Sequence, residues 1–499
     1  MTHVPDEIWE QVFSNFEDHM PIEEDWWMGG SRLRHEDLST LHSLCLVSHQ
    51  FQRVAQPLLY RTIPMEGCSA EKLVQARFLR TLSEHPQLGQ HVRNVSFDDD
   101  AEGAYLRYRA IEHPVLYNIL RAGLDYISLP PPAMRRIKKS LLEQQSGGGL
   151  GALFMAYMPQ SQLVDCTVHR DDTPSLLMLS GCLGLEEDIL GDLEGRDKED
   201  PDDTRTHDQK GNSLPKDMFT AYTFPHLTEV RIGTADYEGV TSFSTIQPIF
   251  RHPTLKRLRA LGIDLLEKDK KPLIWPTEGS NLQYLDLKES IIDAAGMRGI
   301  LTRCPRLKGL SMEMAPHHRE SDQHVEDWEV DLEEFGNVLR QFGQNLEDFA
   351  IDTNNYNNYH STEGRLGSLQ TLISLKHLNT GRDELLGPIR GLYEESETPA
   401  LQFDQALPPF LETLFLYHCG YGYEARNRAA NEELREFITN CAISNLREIQ
   451  LELNHNETEE EWHLDSKVCG WGASFRKEYF QDIPESSEGT RTILVLSRE

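Results

Sequence analysis

His317, His318 and His324 crowd the segment APHHRESDQHVEDWE (315–329), and imidazole is a common ligand for zinc and copper. A metal site also needs partners at fixed spacing, and no paired Cys or His motif accompanies these three. His418 and Cys419 put a base beside a nucleophile. They are adjacent at a strand end, however, where neighbouring side chains point to opposite faces. SGGGLG (146–151) lacks the GxxxxGK[ST] pattern of a phosphate loop and precedes a helix, so it reads as a linker. No other nucleophile–base arrangement presents itself. The sequence therefore predicts no catalytic residue, no metal and no cofactor, and the chain reads as a binding protein rather than an enzyme.

Composition narrows the partners. Among 499 residues, 81 acids oppose 49 Lys and Arg, for a formal charge of −32. Such a chain repels polyphosphate unless its positive charge is segregated, and no Lys/Arg run of useful length occurs. Nucleic acid and anionic membrane are not expected partners. The eight cysteines (45, 68, 166, 182, 304, 419, 441, 469) form no CxxC and no short framework, which suggests reduced thiols in the cytosol or nucleus. MTHVPDEIWEQVF has acids where a signal peptide needs a basic start. No run of eighteen apolar residues predicts a transmembrane helix.

The elements that carry binding residues follow from periodicity. From residue 88 onward, segments of the form apolar-x-x-apolar-x-apolar recur after turn signals. The clear copies are 226–233, 254–261, 281–288, 306–313, 345–352, 410–417 and 445–452; 374–381 is weaker, and 91–98 and 162–169 are candidate early ones. Their first apolar positions 227, 255, 282, 307 and 346 step by 28, 27, 25 and 39 residues. The first three steps match the roughly 20–29 residues of a leucine-rich repeat, and the last implies an insertion. Each segment predicts a short parallel strand with its leucines inward, and stretches such as 291–305 predict the returning helices. The acidic segment 186–217 reads as disordered, and RTILVLSRE as a closing strand.

The informative side chains are then the outward ones. Arg231, Arg257, Arg259, Tyr284, Asp286 and Lys288 occupy outward positions of the earlier strands. Asp348, Phe415, Tyr417 and Glu448 occupy those of the later ones. They predict a face running from basic to acidic that holds a protein target.

Upstream, Ile8, Val12, Phe13 and Phe16 fall at helical spacing behind Pro5 and Asp6. Residues 17–36, with Trp26 and Trp27, interrupt the pattern. It resumes at Asp37, a predicted N-cap, through Leu38, Leu41, Leu44, Val47, Phe51 and Val54 until Pro57. As one ideal helix, residues 41–58 leave Leu46 opposite the apolar face, among His49, Gln50 and Arg53.

Val4-Pro5-Asp6-Glu7 followed by Asp37, Leu38, Leu41, Leu44, Val47, Ser48 and Phe51 resembles the F-box of F-box proteins with leucine-rich repeats. Val4 stands where the family usually has Leu, Phe51 where it often has Trp, and the 17–36 loop is longer than usual. The resemblance implies an α/β chain: a small helical F-box at 1–63, then an irregular leucine-rich-repeat solenoid over 88–499, its curved parallel sheet backed by outer helices. It implies two short helices meeting near Cys45. It also implies that Val4, Pro5, Ile8, Val12, Phe13, Leu38, Leu41, Leu44, Val47 and Phe51 dock a Skp-type adaptor, and through it a cullin–RING ubiquitin ligase. A repeat scaffold that never joins a ligase is the competing expectation.

Overall fold

Short apolar segments separated by turns build this chain. The computed structural model describes residues 4–17, 35–64, 74–97, 114–126, 137–138, 141, 148–168, 179, 224–234, 239–266, 279–316, 328–354, 363–387, 401–417, 424–441, 443–453, 470–479 and 490–498. The chain divides into two units, Met1–Leu261 and Gly262–Glu499. The fold is mixed α/β with a large, mostly parallel sheet, and the described strands close no barrel.

The first unit opens with α1 (Asp6–Phe13), α2 (His35–Cys45) and α3 (His49–Leu59). Parallel strands follow in chain order: β1 (Thr62–Pro64), β2 (Asn94–Phe97), β3 (Leu163–Val168), β4 (Glu229–Thr234) and β5 (Arg257–Leu261). The second unit carries β6 (Tyr284–Ser290), β7 (Gly309–Met314), β8 (Asp348–Asp352), β9 (His377–Gly381), β10 (Thr413–Tyr417) and β11 (Glu448–Leu453), again parallel and in order. β12 (Trp471–Tyr479) and β13 (Thr490–Arg498) finish it as a hairpin, with β13 antiparallel to β11. All ten predicted strand segments form strands.

In eight of the ten predicted segments the opening leucine lies just before its strand. Leu227, Leu255, Leu282, Leu307, Leu346, Leu375, Leu411 and Leu446 are all buried there. Leu307 and Leu346 each donate to the carbonyl three residues back, at 3.0 Å. Two N–H groups of the next strand entry then converge on one carbonyl of the previous entry. Lys308 and Gly309 reach Gln283 O, Glu347 and Asp348 reach Lys308 O, and Lys376 and His377 reach Glu347 O. This stitching fixes register and aligns the strand entries in one row.

Between strands, the helix predicted over 291–305 forms at Ala294–Arg303, where Asp293 accepts from Gly296 N at 2.7 Å. Asp331 caps the helix Leu332–Phe342 through the N–H groups of Glu333 and Glu334. At the closing hairpin Trp471 is fully buried, with the Arg498 guanidinium 5.2 Å from its ring centre.

Three local expectations change. The helix predicted from Asp37 starts at His35 and breaks after Cys45, because Ser48 is extended and its Oγ accepts from Phe51 N at 3.1 Å to start α3. Pro57 lies within α3 rather than ending it. Tyr60 N still reaches Gln56 O at 3.2 Å, so the last turn closes around the missing donor. Gly148 opens the helix Gly148–Tyr157 rather than a linker, because Ala152–Tyr157 is buried throughout and packing outweighs the low helix propensity of glycine.

No helix among the described residues is long and apolar enough to cross a membrane. His317, His318, His324, His418, Cys419, Trp26, Trp27 and the segment 186–217 lie outside the described residues. Among the described residues, no group of three or more His, Cys, Asp or Glu could hold a metal ion.

Candidate functional site

α1, α2 and α3 enclose a core of Phe13, Leu41, Val54, Ala55 and Leu58, flanked by Trp9, Phe16, Leu44, Cys45, Phe51 and Leu59. Three rings lock it: Trp9–Phe51 at 4.7 Å between centroids, Phe13–Phe51 at 5.1 Å and Trp9–Phe13 at 5.7 Å. Polar clamps hold α1 on α3 at both ends. Arg53 Nη2 lies 2.6 Å from Asp6 Oδ2, and Gln50 Nε2 donates to Asp6 Oδ1 at 3.0 Å and to Val4 O at 2.9 Å. At the other end Arg61 Nη1 donates to Glu17 Oε2 at 2.8 Å. Burial pushes the Cys45 thiol up, so it remains protonated near neutrality.

The F-box resemblance implies ten residues on one contact surface, and the bundle sorts them. Phe13 and Leu41 are 2% and 0% exposed: they close the core and offer nothing to a partner. Leu38, Leu44 and Phe51 are half-buried. Pro5 is exposed and holds the N-terminal end of α1. Val4, just before α1, and Ile8 and Val12 on it recur every four residues and are 36%, 48% and 44% exposed. In the turn between α2 and α3, Leu46 and Val47 are 76% and 65% exposed. The Val4–Gln50 hydrogen bond brings the start of α1 against the start of α3, beside that turn. The two sets are the exposed large apolar side chains of the described bundle residues: a stripe along α1 and a pair in the turn. Leu46 is absent from the family-derived contact set, yet its misfit to the helical face already marked it in the sequence.

The predicted target face is also sorted by burial. In the first unit Arg231 and Arg259 are 2% and 6% exposed, and both guanidinium Nε atoms approach Glu229 Oε1, at 2.8 and 3.4 Å. Their register pairing across β4 and β5 places the two cations side by side, so one carboxylate serves both. Arg257 is half-buried.

In the second unit Tyr284 is half-buried, its ring lying where a Cβ on Gly309 would come within 2.6 Å; only glycine admits it. Asp286 keeps Oδ1 buried without a hydrogen-bond partner. Lys288 Nζ lies 3.1 Å from Glu313. Burial pulls Lys288 down, but Glu313, Asp286 and Asp352 together raise it, so it stays charged. Asp352 is pushed up to about 7 by burial and by Glu313, with Asn354 N and Lys288 pulling the other way. Asp348, Phe415 and Glu448 are half-buried. Burial raises Asp348, and His377 Nε2 stands 3.8 Å from it.

Tyr417 is buried rather than presented. Its hydroxyl donates to Ile351 O at 2.6 Å and contacts Glu384, and Gly381 is its neighbour in register. Glu384 is 1% exposed and accepts from Gly381 N at 2.9 Å, Thr380 Oγ1 at 3.1 Å and Thr353 N at 3.2 Å. Burial pushes its carboxyl up against these donors. This network ties three strand ends together and is structural. No protein-family model matches the chain, and no curated protein matches it.

Proposed function

We propose that this chain is the substrate-recognition subunit of a cullin–RING (SCF-type) ubiquitin ligase, non-catalytic and acting in the cytosol or nucleus. The N-terminal bundle is then an F-box that docks a Skp-type adaptor. The strand–helix units are then a leucine-rich-repeat solenoid that holds a protein target for ubiquitin transfer by other subunits. The apolar stripe of Val4, Ile8 and Val12 and the turn pair Leu46 and Val47 carry this reading. Five water-facing apolar side chains on so small a bundle need a cover.

Covering such a half-exposed stripe yields roughly 5 kcal/mol gross from these side chains. Association costs about 4–15 kcal/mol, so half-buried Leu38, Leu44 and Phe51 and polar contacts at the rim must contribute to a stable complex. The target-facing side chains left on this reading are Arg257 in the first unit, and Tyr284, Asp286, Lys288, Asp348, Phe415 and Glu448 in the second.

Affinity for a purified Skp-type adaptor tests the reading. The intact chain should co-elute with the adaptor on gel filtration, and Ile8→Asp or Val47→Asp should weaken binding by about a hundredfold with an unchanged melting curve. An intact, folded chain with no affinity for the adaptor would leave the repeat-scaffold alternative standing instead.

A further inference from the structure

Outside the bundle, the large hydrophobic side chains that stand exposed among the described residues are Ile373 and Phe410, at 63% and 51%. They occupy the turns before two neighbouring strands, β9 and β10. Both line one groove of about 800 Å³, which runs along the strand entries from Gln283 to Asn445. The groove crosses the entries of β6 to β11, a span of about 24 Å at the usual strand spacing.

Its wall is a charge ladder set by the backbone stitching. Lys308, Glu347, Lys376 and Glu412 succeed one another on adjacent strand entries. Lys308 Nζ donates to Glu347 Oε1 at 2.7 Å, and Lys376 Nζ to Glu347 Oε2 at 3.0 Å. With Arg306, three cations face two carboxylates, so the groove is net positive in a chain of charge −32. Each lysine is close to half-exposed and spends one of its three donors on Glu347.

The backbone of this edge is already saturated. The carbonyls of Gln283, Lys308, Glu347 and Lys376 each accept two N–H groups from the next entry. An extended peptide therefore finds no ladder to join here, whereas a helix brings its own backbone bonds. Helix side chains at i and i+4 stand about 5–6 Å apart, close to the strand spacing that separates the turns of Ile373 and Phe410.

We propose that this groove docks an acidic amphipathic helix of a partner protein, with apolar side chains on Ile373 and Phe410 and carboxylates on Lys308 and Lys376. About 16 helical residues fill its length. The site is separate from the adaptor surface and does not depend on that reading.

Panning a phage-displayed library of helical peptides of about 16 residues against the purified full-length chain tests it. Enriched sequences should be rich in Glu and Asp, with Leu, Ile or Phe at i and i+3 or i+4. Their affinity should fall at least about tenfold in Phe410→Asp, Ile373→Asp and the Lys308→Glu/Lys376→Glu double variant, and be unchanged in Ile8→Asp. Thermal melts of each variant establish that it is folded. Enrichment of basic or non-helical sequences, no enrichment, or affinity indifferent to these substitutions overturns the proposal. So does concentration-dependent self-association of the chain that Phe410→Asp abolishes, which would make the occupant a second copy.

Discussion

Among the described residues, two places expose large apolar side chains, and they are built on opposite plans. On the N-terminal bundle there are five such residues, and the ion pairs Arg53–Asp6 and Arg61–Glu17 clamp its helices together. At the strand-entry edge the exposed large apolar side chains among the described residues are Ile373 and Phe410, set beside a Lys–Glu–Lys ladder. The bundle offers area, which favours slow dissociation. The edge offers a small anchor and a net charge, which favours fast, selective encounter. A permanent subunit contact suits the first and an exchangeable partner the second.

The largest effect separates core from contact within the bundle. Phe13→Ala opens a cavity beneath Trp9 and Phe51, and should lower the stability of the bundle by about 3–5 kcal/mol. Ile8→Asp, on the same helix but in water, should change stability by no more than about 0.5 kcal/mol. Chemical denaturation followed by tryptophan fluorescence, with Trp9 packed on Phe51 as reporter, measures both. Comparable losses in the two variants would mean that the stripe belongs to the core and has no partner to find.

Salt separates the two surfaces next. Raising ionic strength from about 0.05 to 0.5 M shortens the screening length several-fold. Adaptor binding to the bundle should then change by less than about twofold, because its contact is apolar. An acidic helix on the edge groove should lose about tenfold over the same range. Parallel titrations by fluorescence anisotropy give both slopes, and equal slopes would erase the distinction drawn between the surfaces.

Much of this architecture is legible in the sequence because strand periodicity is local. Ten segments could be located by their apolar spacing, and ten strands formed there, since each leucine pattern is satisfied within one strand and its neighbours. Burial of the outward residues is not local. Arg231 and Arg259 look exposed by alternation, yet their burial beside Glu229 depends on a register between strands that are distant in sequence. Tyr417 alternates outward too, but its hydroxyl finds Ile351 O across an intervening strand. In the bundle, spacing found the apolar residues but could not divide Phe13 from Val12, because that division needs the angle at which α3 lies on α1. The edge groove left no motif: Ile373 and Phe410 gain meaning only from their place beside the aligned strand entries.

The smallest effect concerns Glu347, which sits between the two lysines of the edge. Hydrogen bonds from Lys308 and Lys376 hold its carboxyl down from 4.5 to about 2. A depressed carboxylate contributes stability above its unfolded value, and loses it as pH falls through the folded one. The ladder is therefore constant from pH 5 to 8 and discharges only between about 4.5 and 2, which a side-chain NMR titration of Glu347 reads directly. Because the three groups are solvent-screened, removing this charge costs the fold little. It should matter more to a ligand. Glu347→Gln frees both ammonium groups from a competing carboxylate, and an acidic helix should bind about two- to threefold tighter, while adaptor affinity stays fixed. Weaker binding would mean that Glu347 orients the lysines rather than competing for them. The charge of the edge would then be built for its own order, and the contrast with the bundle would rest on Ile373 and Phe410 alone.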